Sequence, residues 1–135
     1  MLRNKYEFEG KIYMNIEKYW NDIVRQDADA IRNYFDKNAY INWHNSNEHF
    51  NVDEFIRANC EYPSDWDGEL ERIEILEDLI ITVARVWKRD DKMSFHVTSF
   101  IKVREEKIIS IDEYWGEDGN APHWRLDKHI GKAIK

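Results

Sequence analysis

Residues 93–115, MSFHVTSFIKVREEKIISIDEYW, set a histidine, a threonine and a glutamate at strand spacing among aliphatic and aromatic residues. Side chains alternate across a strand. With a tight, charged turn at Arg104–Lys107, one face collects His96, Thr98, Phe100, Ile111, Glu113 and Trp115. The other collects Phe95, Val97, Ser99, Ile101 and Val103. Neither is the plain polar face of a solvated sheet. Three hydrogen-bonding groups among apolar ones suit the wall of a small-molecule cavity. The pair with chemical potential is His96 and Glu113. A histidine oriented by a carboxylate is the usual form of a general base, a role that contributes roughly 10²–10⁴ in rate. His96 would take a proton or activate water, with Glu113 orienting it.

Other reactive side chains offer less. His44, Glu48 and His49 lack the i, i+4 helical spacing of a zincin, and no third or fourth ligand is evident, so no metal is expected. Cys60 reads as packing near a helix end rather than as a nucleophile. There is no Gly-rich phosphate loop and no Gly-x-Ser-x-Gly elbow, and no cofactor is expected.

The elements that must position these groups are legible in the periodicity. Ile16, Tyr19, Trp20, Ile23 and Val24 follow the spacing of an amphipathic helix. Asp27 can cap a second helix with Ile31, Tyr34 and Phe35 on its inner face. Ala39–His44 reads as a short strand. Asn51 with Glu54 has the spacing of a capping box for a third helix, flanked by Phe50 and Phe55 as a hydrophobic staple. That helix should stop before Pro63. Strands follow at about 67–77, 79–88, 94–104 and 107–115, then a turn-rich tail with a helical turn or two around Trp124–Ile130. Residues 1–13 fit no element and read as a loose extension, with Met14 as an alternative start. Residues 14–135 read as a single domain.

Helices first and antiparallel strands after them give an α+β architecture. The helices can cover one sheet face. The opposite one, with Ile80, Ala84, Val86, Phe95, Val97, Ile101 and Val103, is too apolar to leave in water. A second copy is its simplest cover, giving a C2 homodimer.

At 135 residues the chain can hold a core. Its 14% aromatic content argues for a folded protein. A net charge of −7, with Lys and Arg scattered among more numerous acids, disfavours nucleic acid as a partner. The single cysteine fits a reducing compartment. No apolar run approaches a membrane span, and the charged N-terminus lacks a signal-peptide core. A cytoplasmic location is expected.

The order of elements, with KYWNDIVRQDADAIRNYF, NAYINWHN and IISIDEYWG, resembles the nuclear transport factor 2-like superfamily, in particular its SnoaL-like branch. The resemblance covers about residues 14–116. It implies three helices closing a strongly bent antiparallel sheet around a cavity. The superfamily includes ketosteroid isomerases, whose first helix carries an oxyanion-hole tyrosine. Tyr19 matches it. Trp43 stands at the place of the isomerases' aspartate base and cannot take a proton. Thr98 falls where the second oxyanion donor lies, and Tyr114-Trp115 matches the end of the last strand. Isomerase activity by that mechanism is therefore not expected. The resemblance also places Arg85, with Ile81 and Val83, on the cavity face beside His96, Thr98, Phe100, Ile111, Glu113 and Trp115. Trp43 and His44 would lie near the mouth.

Arg85 and Glu113 are charged at neutral pH, and burying either alone is costly, so each should find a partner in the other or in His96. Three readings stay open. The polar set is a satisfied network that only fixes the bend of the sheet, or it contacts a ligand without chemistry. In the third, His96 and Glu113 act as an acid–base pair while Tyr19 and Thr98 steady an oxyanion. The expected function is binding of a small, apolar or amphipathic molecule in an internal pocket. The alternatives are a lyase, isomerase or hydrolase using His96 and Glu113, and an association module acting through the outer sheet face.

Overall fold

The computed structural model describes residues 7–8, 11–12, 14–90 and 93–135. Within the expected N-terminal extension it shows an antiparallel ladder of β1 (Glu7–Phe8) with β2 (Lys11–Ile12). The rest of residues 1–13 lies outside the described residues.

Helix α1 (Ile16–Val24) starts where the Asn15 side chain accepts the Lys18 amide, and buries Ile16, Tyr19, Trp20 and Ile23. Asp27 caps α2 (Ala28–Arg32). This helix is shorter than its periodicity predicts. Phe35 opens a strand instead, β3 (Phe35–Trp43), and Tyr34 already accepts the Ile108 amide from across the sheet. Sheet pairing along both edges of β3 outweighs one more helical turn. A further strand, β4 (Glu48–Asn51), follows and pairs antiparallel with β3. Its last residue, Asn51, closes the capping box with Glu54 that starts α3 (Val52–Cys60). Phe50 and Phe55 are both buried and both pack on Trp43.

Four long strands follow: β5 (Trp66–Leu76), β6 (Leu79–Lys88), β7 (Ser94–Arg104) and β8 (Lys107–Glu117). A single turn, α4 (His123–Leu126), lies in the tail. The large sheet runs β4-β3-β8-β7-β6-β5, antiparallel except where β3 lies parallel to β8. Helices cover one face of this sheet. On it Ile80, Ala84, Val97, Ile101 and Ile111 are at most 1% exposed. The Trp20 indole donates to Thr82 Oγ1, tying α1 to β6.

Two expectations are thereby corrected. The face assigned to a dimer contact is the face that α1 and α3 cover within one chain. The cavity face was also assembled out of phase. In a regular two-residue hairpin, the Arg104–Lys107 pair would be followed by Phe100 opposite Ile111, Thr98 opposite Glu113 and His96 opposite Trp115. Instead the register slips between Lys102 and Val103, with Ile109 the extra residue. Beyond this bulge Ile101 faces Ile111, Ser99 faces Glu113 and Val97 faces Trp115. One inserted residue exchanges the two faces of a strand. Phe95, Val97, Ser99 and Ile101 therefore join Ile111, Glu113 and Trp115 beneath the helices. His96, Thr98 and Phe100 look out from the opposite face.

Candidate functional site

Aromatic residues gather at one end of the helix-covered face. Trp43 ends β3, Trp66 begins β5, Phe95 begins β7 and Trp115 lies near the end of β8. With Ile23 and Val24 of α1 and Val86 of β6, they line a cavity of about 360 Å³. Tyr62 and the segment after β3, including Asn45 and Glu48, form its rim. Much of the rim's hydrogen-bonding capacity is already committed. The Gln26 amide donates to the Asn59 and Tyr62 carbonyls, and Asn59 donates to the Ile23 carbonyl. Asn45 Oδ1 accepts the Trp115 backbone amide. Trp66 donates to the Pro63 carbonyl.

Gly68 sets how closely α1 approaches this wall. A Cβ there would lie 2.9 Å from Val24 Cγ1, 3.1 Å from the Arg85 carbonyl oxygen and 3.2 Å from Val86 Cγ1.

Behind Trp43 lies Glu113, 3% exposed. The Trp43 indole donates to its Oε1 at 2.9 Å, and Ser99 Oγ, fully buried, bonds its Oε2. Burial pushes the Glu113 carboxyl up to about 7, against the stabilising hydrogen bonds from Ser99 and Trp43. The carboxyl is thus poised to change protonation near neutral pH. Burial, with the nearby Glu113 and Tyr34, pushes the Tyr19 hydroxyl well above its ordinary value. The Tyr19 ring packs edge-on against Trp20, Tyr34 and Phe35. Among the described residues, Trp115 Nε1 is the buried side-chain polar atom that has no hydrogen-bond partner.

Of the residues singled out from the sequence, Trp43 and Trp115 line the cavity. Glu113 stands behind its wall, and Tyr19 and Ile111 belong to the packed core. The expected His96–Glu113 pair is not formed, because the bulge puts the two residues on opposite faces. His96 bonds Asp118 through Nδ1 and lies 3.0 Å from Glu71 Oε1 through Nε2. The Asp118 hydrogen bond holds the His96 imidazole above its usual range. Arg85, opposite His96 in the ladder, reaches Asp118 at 3.6 Å rather than Glu113. Thr98 and Phe100 share this outer face with them. His44 stacks on Tyr114 and bonds Asp112 at 2.7 Å, while His49 bonds Asn42. Trp66, Phe95, Val86 and Ser99 were missed as site residues. The strand pattern places all four, but only the register places them beside Trp43 and Glu113.

No family model matches the chain, and no curated protein is similar to it in sequence. Solved structures are similar in fold. An NTF-2 like protein of unknown function from Burkholderia xenovorans superposes with a TM-score of 0.73 at 20% identity, covering 89% of this chain and 92% of that one. A candidate ketosteroid isomerase from Kribbella flavida gives 0.71 at 15% identity, over 87% and 86% of the two chains. This chain has the nuclear transport factor 2-like fold. A candidate SnoaL-like polyketide cyclase from Shewanella putrefaciens also shares the α+β cone, with a TM-score of 0.58 at 8% identity over 73% and 75% of the chains. Among the described residues, no helix is long and apolar enough to cross a membrane.

Proposed function

We propose that this protein binds a small, largely apolar molecule between α1 and the end of its sheet where β3 and β8 finish and β5 and β7 begin. The observation that carries the reading is the 360 Å³ cavity walled by Trp43, Trp66, Phe95 and Trp115. Such a volume suits a small-molecule site, and burial of apolar ligand surface supplies the driving force. Binding without chemistry is favoured over catalysis. Glu113, the buried acid nearest the cavity, has both oxygens engaged by Trp43 and Ser99, and no histidine reaches it. SnoaL-like cyclases share this fold and support the cavity as the place to look, while the reaction of any one of them is not carried over.

The test is titration with the neutral dye Nile red, followed by its fluorescence. Wild type should bind it. Val24→Phe and Val86→Trp, which fill the cavity from two elements, should weaken binding at least tenfold. Folded variants that bind like wild type would move the site elsewhere.

We also propose that two copies associate through the open sheet face, which the half-buried Ile81, Val83, Trp87 and Phe100 share with His96. The lone cysteine, Cys60, supports a reducing, cytoplasmic setting.

A further inference from the structure

The cavity wall is aromatic in a continuous arc. Ring centroids follow one another at 6.2 Å from Trp43 to Trp115, 6.2 Å from Trp115 to Phe95, 6.1 Å from Phe95 to Trp66 and 5.4 Å from Trp66 to Tyr62. Successive planes are turned by 69°, 79°, 42° and 73°, so the rings meet edge to face or tilted instead of stacking, and all five line the cavity. A cation within about 6 Å of an aromatic centroid is attracted by the ring's negative face. At these spacings one cationic head can meet two or more rings at once.

The charges near the arc point the same way. Among the described residues that line the cavity none is Lys, Arg or His, and the one charged group is the Glu48 carboxylate at the rim. Glu48 is exposed, and its side chain makes no hydrogen bond or ion pair among the described residues. An anionic ligand would meet no countercharge here. Lys88 Nζ lies 5.9 Å from the Trp66 centroid, at the outer limit of such a contact. The other four rings have no cation over them among the described residues. The net charge of −7 adds a long-range pull on cations.

We infer that the occupant of this cavity carries an alkylated ammonium group, held by the Trp43–Trp115–Phe95–Trp66–Tyr62 arc with Glu48 as countercharge. Alkylation matters because methyl groups spread the charge and lower the cost of leaving water, which a bare ammonium would incur in full. The cavity is larger than a trimethylammonium group, so the head can bring an apolar tail against Ile23, Val24 and Val86. The inference rests on the cavity being a ligand site.

The experiment compares choline with its neutral isostere 3,3-dimethylbutan-1-ol by calorimetric titration, with Nile red as the control for the cavity itself. Choline should bind about tenfold tighter than the alcohol. Glu48→Gln should weaken choline severalfold and leave the alcohol unchanged, and Trp66→Leu should weaken choline further. Should Trp66→Leu fail to fold, the exposed Glu48→Gln still carries the test. Equal or tighter binding of the alcohol overturns the ammonium assignment, as does Nile red binding with neither small probe bound. Choline binding that is indifferent to Glu48→Gln and to a folded Trp66→Leu overturns it too. Failure of all three probes removes the cavity reading as well.

Discussion

Glu113 is the residue whose chemistry is most altered by the fold. Its carboxyl titrates near 7 because burial penalises the charge more than Ser99 and Trp43 relieve it. The folded state therefore holds its proton more tightly than the unfolded chain. Below the unfolded value of 4.5 the carboxyl imposes no penalty. As pH rises toward 7 the unfolded chain ionises first, and stability falls by about 3 kcal/mol, then levels off. His96 acts in a different window. Its imidazole is held above 6.5 chiefly by Asp118, so its contribution is full below 6.5 and is lost as pH rises through the folded value. Urea midpoints of wild type should thus fall from pH 4.5 upward. Glu113→Gln should flatten the fall between 4.5 and 7 and leave the upper part, and His96→Gln should do the reverse. A wild-type midpoint that rises from pH 5 to 7 would contradict the Glu113 assignment. Trp43→Phe should cost roughly 1–3 kcal/mol, because it removes a donor from a buried carboxyl.

Single residues also decide how elements meet. The bulge at Ile109 exchanges the inner and outer sets of β7 against β8. It thereby separates His96 from Glu113 and brings Ser99 to the acid. Gly68 does the equivalent work between α1 and the sheet, since any Cβ there meets Val24, Val86 and the β6 backbone. Gly68→Ala should destabilise the protein by roughly 1–3 kcal/mol, the usual cost of overpacking. Because Val24 and Val86 both line the cavity, it should also weaken Nile red binding. Thermal melts and dye titration read the two effects separately. Unchanged stability and unchanged dye binding would show that α1 can retreat freely.

For the whole molecule the helices and sheet divide two tasks between two faces. The helix-covered face supplies the core and, at its open end, the cavity. The opposite face is mixed: the partly buried Ile81, Val83 and Phe100 lie among the ion pairs of His96, Arg85 and Asp118. If that face joins two copies, light scattering should give twice the 16.4 kDa chain mass. Phe100→Glu should then yield monomers while dye binding in the cavity persists. A monomeric wild type at micromolar concentration would remove the dimer and leave the cavity untouched.

Periodicity and capping were sufficient for α1, the capped start of α3 and all four long strands, because those signals are local. Asn15, Asp27 and Asn51 cap their own helices, and apolar alternation marks each strand whatever it pairs with. The order of helices before strands was enough for the α+β class, and the family resemblance supplied the strongly bent, cone-shaped sheet. Which residues share the cavity was not local information. It depends on a one-residue bulge in the β7–β8 ladder, whose sequence, Lys102 to Ser110, carries no glycine or proline to announce it. Period two assigns faces within a strand but says nothing of the phase between strands. Tertiary register alone placed Ser99 on Glu113, turned His96 toward Asp118, and set Trp43, Trp66, Phe95 and Trp115 around one cavity.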